Sequence, residues 1–526
     1  MQKQWQLPPP GLHLLIVTLL LLGVFFRLSH LDLKVYAHDE VFTSLRVAGY
    51  DAERVTQRVF SGEVLTAADL LQYQRLSPDL GWGDTLRALM DSPEHPPLYY
   101  LIGRLWVQIF GSSVGAFRSL SAAISLLSFP ALYWLCLELF GSARVGWIAI
   151  ALLTVAPFHV LYAQEARPYS LWIAMTILAS AALIRAMRIP SGRNWWLYAL
   201  MVVLNFYTTL FSGLAIASHA LYLLILERFR WTPTLKAACG AWLVGAIAFL
   251  PWMGVILAHW QQFQTKTQWA SQGKNLPTLL RFWGLHLSSN FIDLPLEFAN
   301  PILIVFALAS LLFVGYGFKV LIKHTPQPVW LFLLLLAIGS AVFLIAADLV
   351  RGGQISGNSR YFVPTYVAVP VVSAYLFARK IYTPNAQSRL LWMSALSFAI
   401  SCGVISCTLS FTAEAWWNKV LSYNNPQIAR IINTSPNPLV ISQFSDIRLG
   451  NLISLSYKLR PDVKLQLVVE PNIPRISLDF SDIFVYEPSE VLMQELMARY
   501  DLMMTPIENA PLLRLNPRVG GFEGLR

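Results

Sequence analysis

Asp39-Glu40 and Glu94-His95-Pro96-Pro97 are the residues of this chain best suited to acid–base chemistry. Both clusters lie on one long polar stretch, Ser29 to His95, bounded by apolar segments. Carboxylates and an imidazole beside a bilayer are costly to keep unless they are used. A carboxyl group next to apolar surface holds its proton more tightly, which suits a general base. The same residues also have a plainer reading. Asp39-Glu40 can cap a helix over Val41 to Val47, and Pro96-Pro97 can simply start one, leaving Glu94 and His95 at its mouth. His95 could also ligate a metal, but no second His stands at a ligand spacing such as i+4. No cofactor is expected, with a divalent metal as the lesser alternative.

A second kind of chemistry is anion binding. Gln164-Glu165-Ala166-Arg167-Pro168-Tyr169 sits in a very short connector between two apolar runs, and Arg167 is its one base. Arg351 and Arg360, the latter in Ser359-Arg360-Tyr361-Phe362-Val363-Pro364, stand on a connector predicted to share that face. A guanidinium matches phosphate oxygens with a planar fork. Arg167 can equally pair with Glu165.

These residues must be positioned by membrane helices. The chain is 526 residues long, 56% hydrophobic and only 13% charged, about half the usual charged share, with a mean hydropathy of +0.52. That excludes a soluble globular protein. Uncharged runs of spanning length cover Ser119 to Leu137, Ala237 to Ala258, Phe298 to Phe318, Val329 to Ala347 and Leu390 to Ala413. The first apolar run, Leu14 to Phe26, lacks a small-residue cleavage pattern and reads as a retained helix. Four cysteines, all inside apolar segments, suggest neither disulfides nor a CxxC metal site.

The net charge of +10 comes from bases gathered between apolar runs, so no nucleic-acid partner is expected. Arg144, Arg185 with Arg188 and Arg193, Arg228 with Arg230 and Lys236, Lys319 with Lys323, and Arg379-Lys380 with Arg389 mark cytoplasmic connectors. One alternating path satisfies them all, with about eleven crossings. It puts 30–95, 161–168, 207–211, 259–297, 348–360 and the tail after 413 on the outer face. The span Asn194 to Leu226 has no acid or base other than His219, and as one helix it would be roughly 50 Å long. A break is predicted at Tyr207-Thr208-Thr209. Pro97 to Phe110 is short and carries Arg104, which favours a half-inserted helix.

The tail changes character. Pro438 to Ser442, Val463 to Val469 and Asp482 to Tyr486 read as strands bounded by Pro, Asn and Asp. Ser489 to Arg499 reads as a helix. The expected organisation is a transmembrane module over 1–411, carrying the outer loop 30–95, followed by a small α/β domain over 412–526.

Taken together, Asp39-Glu40, His95-Pro96-Pro97-Leu98-Tyr99-Tyr100, Gln164 to Tyr169 and Arg360-Tyr361 resemble the C-type (GT-C) glycosyltransferase superfamily. The closest likeness is to its bacterial branch related to protein O-mannosyltransferases and lipid A aminoarabinose transferases. The resemblance covers roughly residues 10 to 410. It implies an all-α polytopic fold of about 11 to 13 transmembrane helices in the cell inner membrane, with the active site and tail domain extracytoplasmic. It further implies transfer of a hexosyl or pentosyl group from a polyprenyl-phosphate donor to a protein, lipid or glycan hydroxyl, with inversion. By matching position, Asp39 would be the base, and Glu40 and Glu94-His95 would orient acceptor or sugar. Arg167, with Arg360 and Arg351 and the adjoining Glu165, Tyr169 and Tyr361, would bind the sugar phosphate. Some relatives have Lys where His95 stands.

Two other classes are open. A transporter or flippase of lipid-linked sugars would place ionisable residues near the midplane and show repeats, whereas here they cluster toward one surface. A non-catalytic scaffold would leave Asp39, Glu94 and Arg167 without a use.

Overall fold

A computed structural model describes residues 6–517 except Pro9, Leu478, Asp501 and Asn509. The chain forms two compact units. One comprises Met1–Leu31, Leu89–Ile102 and Arg118–Phe411, the other Asp32–Ala88, Gly103–Phe117 and Thr412–Arg526.

The first unit is helical. Helices occupy all eleven intervals between the connectors predicted above. Val114–Phe140, Tyr169–Arg188, Pro233–Ala258, Ile302–His324 and Gln327–Arg351 are long and apolar enough to span a bilayer, as is the run beginning at Ala386, helical to Thr412. Ala143–Thr154 and Pro157–Ala163 together make a further span bent by 62°. His13–Leu28 and Ser212–Leu226 are shorter apolar helices. Gly192–Thr208 ends at the predicted break. These helices make the chain a multi-pass membrane protein.

The bent pair shows how local chemistry sets geometry. Pro157 has no N–H, so the Leu153 carbonyl loses its helical donor. The Phe158 N–H bonds the Ser289 carbonyl at 3.1 Å instead of continuing the helix. Both freed carbonyls are taken by the buried Arg27 guanidinium, at 3.0 Å to Leu153 and 2.7 Å to Thr154. Gln164, just past the second half, donates from Nε2 to the carbonyls of Phe26 (2.7 Å) and Ser29 (2.9 Å). It thus closes the end of His13–Leu28 and fixes the connector that carries Arg167. At the far end of Tyr169–Arg188, Glu138 accepts from Arg188 Nε at 2.7 Å and from Arg185 at 3.2 Å.

The second unit is an α/β assembly. Its strands are β1 (Ser61–Thr66), β2 (Pro438–Gln443), β3 (Lys464–Val468), β4 (Asp482–Tyr486), β5 (Leu502–Pro506) and β6 (Leu512–Pro517), in the order β1-β3-β2-β4-β6-β5. β2 pairs in parallel with both β3 and β4, and the other pairings are antiparallel. Leu439, Ile441, Val468, Ile483, Val485, Leu492, Leu496 and Leu515 form the core of one face. The three predicted strands and the predicted helix (observed at Glu490–Tyr500) are present.

One difference matters. The expected boundary left 30–95 with the membrane module, yet 32–88 belongs to the same compact unit as the tail. The reason is β1, which supplies the antiparallel edge beside β3, with Val64 opposite Gln466 and Thr66 opposite Lys464. Period-2 patterning is weak in Ser61–Thr66, so nothing local announces the pairing.

Candidate active site

The membrane unit brings three of the sequence motifs together. Tyr99 and Ser121 share a hydroxyl–hydroxyl bond of 2.7 Å, and Ser121 Oγ donates to the Arg167 carbonyl at 3.3 Å. Tyr162 and Ser359 hydroxyls lie 3.2 Å apart, joining the Gln164–Tyr169 connector to the segment Ser359–Tyr361. The Arg167 N–H donates to the Glu165 carbonyl at 2.7 Å in a tight turn. As a result Arg167 and Arg360 flank one ring, with their Cζ atoms 5.8 and 5.9 Å from the Tyr169 centroid. Arg360 also lies 5.5 Å from the Tyr361 ring, which stacks on Phe211 at 4.0 Å. Glu165, Arg167, Tyr169 and Tyr361 are buried and Arg360 is half-buried.

Two guanidinium groups near one buried ring are an arrangement that can hold an anion. Cation–π attraction offsets part of the cost of burying them, and the fork geometry favours phosphate or carboxylate. Arg351 was expected in this group. It is instead exposed at the last turn of Gln327–Arg351. The same turn's Asp348 accepts from the backbone N–H groups of Ile355 (3.0 Å) and Ser356 (2.6 Å) and shapes the approach to Arg360.

Glu94 and His95 stand at the mouth of Leu98–Phe110, both half-buried. His95 Nε2 lies 3.5 Å from Glu94 Oε1. Trp252 Nε1 donates to the Pro93 carbonyl at 3.1 Å and pins the turn just before them. Among the described residues no group of three or more His, Cys, Asp or Glu side chains is placed to hold a metal ion.

Asp39 and Glu40 belong to the other unit, on the helix His38–Ala48. Asp39 is half-buried and Glu40 fully buried. Glu40 Oε2 accepts from the Ala37 N–H at 3.1 Å and from Lys419 Nζ at 2.8 Å. A carboxylate sealed from solvent, with one oxygen held by an N–H and an ammonium group, is poorly placed for the substrate-orienting role expected of it. The helix-capping alternative describes Glu40. Arg104, the puzzling charge on the short helix, donates to the Val47 carbonyl at 3.0 Å and to Thr85 Oγ1 at 2.7 Å. It thereby closes the other end of the Asp39 helix. Lys419 was missed. Its only sequence signal is a lone base behind Trp416-Trp417, just past the last apolar run.

Comparison with known proteins bears on the fold and on one segment of the chain. Residues 94–255 match the family model for dolichyl-phosphate-mannose-protein mannosyltransferase. Two solved structures of ArnT from Cupriavidus metallidurans, one bound to undecaprenyl phosphate and one in the apo state, each superpose with a TM-score of 0.54 at 13% identity. They cover 96% of this chain, which in turn covers 98% and 97% of theirs. A sequence search of curated proteins gives no match. The chain therefore has the fold seen in ArnT, and its segment 94–255 matches the mannosyltransferase family model.

Proposed function

We propose that this protein is a membrane glycosyltransferase that moves a sugar from a polyprenyl-phosphate donor to an acceptor hydroxyl on a protein, lipid or glycan. The observation that carries the reading is the Arg167–Arg360 pair around Tyr169. Paired cations inside a membrane unit mark a ligand site, and a lipid-linked phosphate is the anion that reaches such a site from the bilayer. The ArnT structure bound to undecaprenyl phosphate supports the donor class.

In this reading Asp39 accepts the proton of the acceptor hydroxyl as its oxygen attacks the anomeric carbon. The bond from that carbon to the phosphate oxygen breaks with inversion, and polyprenyl phosphate leaves. Charge on the leaving phosphate grows in the transition state, where cations already in place stabilise it most. Arg167 and Arg360 supply them, and no cofactor is required. Glu94 and His95 orient sugar or acceptor. The site and the tail domain face the extracytoplasmic side of the inner membrane, where the basic connectors leave them.

The test is turnover of a labelled polyprenyl-phosphate sugar by the purified protein. Polyprenyl phosphate is released only when acceptor is present. Asp39→Asn abolishes release while donor binding persists. Loss of donor binding together with turnover would remove Asp39 from the role of base, and transbilayer movement of donor without its consumption would favour a flippase.

A further inference from the structure

The Asp39 helix is gripped by the tail at its first turn. The leading N–H groups of any helix have no intrahelical partner, and here they are met by two devices. Glu40 reaches back to the Ala37 N–H at 3.1 Å. Ser422 Oγ accepts from the His38 N–H at 3.0 Å and donates to Asn451 Oδ1 at 2.9 Å. Asn451 is itself held through its carbonyl, which accepts from Asn425 at 3.2 Å. Asn425 Oδ1 accepts from the Tyr486 hydroxyl at 3.0 Å. Lys419 closes the other side at 2.8 Å from the same Glu40 oxygen that caps Ala37, with side-chain exposures of 1% and 0%. Lys419 and Ser422 both lie on the short 3-10 segment Trp417–Ser422.

Two further bonds strap the segment entering the helix to the tail. The Val35 N–H donates to the Glu414 carbonyl at 2.7 Å, and Lys458 Nζ donates to the Leu33 carbonyl at 2.9 Å. Asp39 therefore stands on a turn whose neighbours on both sides are immobilised from Trp417–Ser422, while its own side chain is only half-buried.

We infer that Lys419 and Ser422 are positioning residues for Asp39, and that Glu40 serves as their counterpart rather than as a group that touches substrate. The inference rests on Asp39 acting as base. A buried ion pair is weak evidence for stability and stronger evidence for a fixed geometry. Small displacements of a reacting group, about 1 Å, cost roughly 100-fold in rate.

The experiment is steady-state kinetics on the full-length protein with donor and acceptor varied separately. Lys419→Gln leaves a buried carboxylate facing a neutral amide, and kcat falls about 10- to 100-fold with the donor KM within about twofold. Ser422→Ala lowers kcat in the same sense by a smaller factor. The double variant K419Q/E40Q restores a neutral hydrogen-bonded pair and recovers about tenfold or more of the loss seen in Lys419→Gln. Should Lys419→Gln fail to fold, Ser422→Ala and the double variant decide the matter. Acceptor KM rising in Glu40→Gln, with no recovery in the double variant, would overturn the inference and return Glu40 to the substrate. Turnover surviving in Asp39→Asn would instead strike the base assignment on which the inference rests.

Discussion

Arg167 and Arg360 reach the same tyrosine from segments almost two hundred residues apart, and what they can do depends on the guanidinium plane. Lysine would keep the charge but lose the fork and the stacking on Tyr169. Arg167→Lys is therefore expected to raise the donor KM and to lower kcat/KM by about tenfold or more, the loss of one charge-assisted hydrogen bond of about 1.5–3 kcal/mol. Arg351→Ala, at an exposed position, is expected to stay within about twofold of the parent. Kinetics with a labelled donor separate the two. Glu487 gives a pH-dependent expectation. Burial holds its carboxyl above its ordinary value of 4.5, partly opposed by the Tyr486 hydroxyl, Arg448 and Asn451. A carboxyl so raised contributes stability below that ordinary value and loses it as pH rises through the folded-state value. Glu487→Gln should then raise the unfolding temperature at pH 7 to 8, with the gain vanishing near pH 4, as followed by thermal denaturation of the detergent-solubilised protein. At this scale the closeness of Arg167 and Arg360 was foreshadowed, because both are bases in connectors predicted to share one face. Lys419 was not, since its partner Glu40 lies 379 positions away and no local pattern links them.

Among the elements, the membrane helices were the most readable, because apolar runs and basic connectors report directly on the bilayer. The five uncharged runs, the break after Tyr207 and the first three tail strands all appear where the sequence puts them. What stayed hidden were pairings between distant segments. The helix Asp446–Ser456 crosses His38–Ala48 at Gly450, where an added Cβ would lie 2.9 Å from Phe42 and would also press on the His38 ring. Gly450 is thus required by close approach. Gly450→Val is expected to push the Asp39 helix away and to depress kcat about 10-fold or more with little change in donor KM. Circular dichroism should show unchanged helix content, so a loss of helicity would mean the substitution acts by unfolding instead. Gly49 has a related constraint. It ends the same helix at φ +88° and stands against Asp84, 2.9 Å from where a Cβ would sit.

For the molecule as a whole, the reading of a membrane module with an appended tail was half of the organisation. The sequence shows where the tail begins but not that residues 32–88 fold with it, since an edge strand is recognisable only through its partner. Removal of the chain from Thr412 onward is accordingly expected to abolish turnover. It should also speed tryptic cleavage after Arg54 and Arg58, exposed side chains whose peptide bonds are held in the helix Ala52–Val59, which limited proteolysis followed by mass spectrometry would detect. A truncated protein that kept those sites protected would mean that 32–88 folds without the tail.

The β1–β3 pairing also imposes a timetable on biogenesis. Thr66 leaves the ribosome long before Lys464, its partner in the sheet. At typical synthesis rates of 5–20 residues per second that interval is on the order of 20–80 s. Throughout it the nascent segment that carries Asp39 waits with an unpaired edge while the membrane helices are inserted. Only a chain translated nearly to completion can lock the Asp39 helix in place, so prematurely terminated products are expected to be membrane-embedded with that helix unanchored.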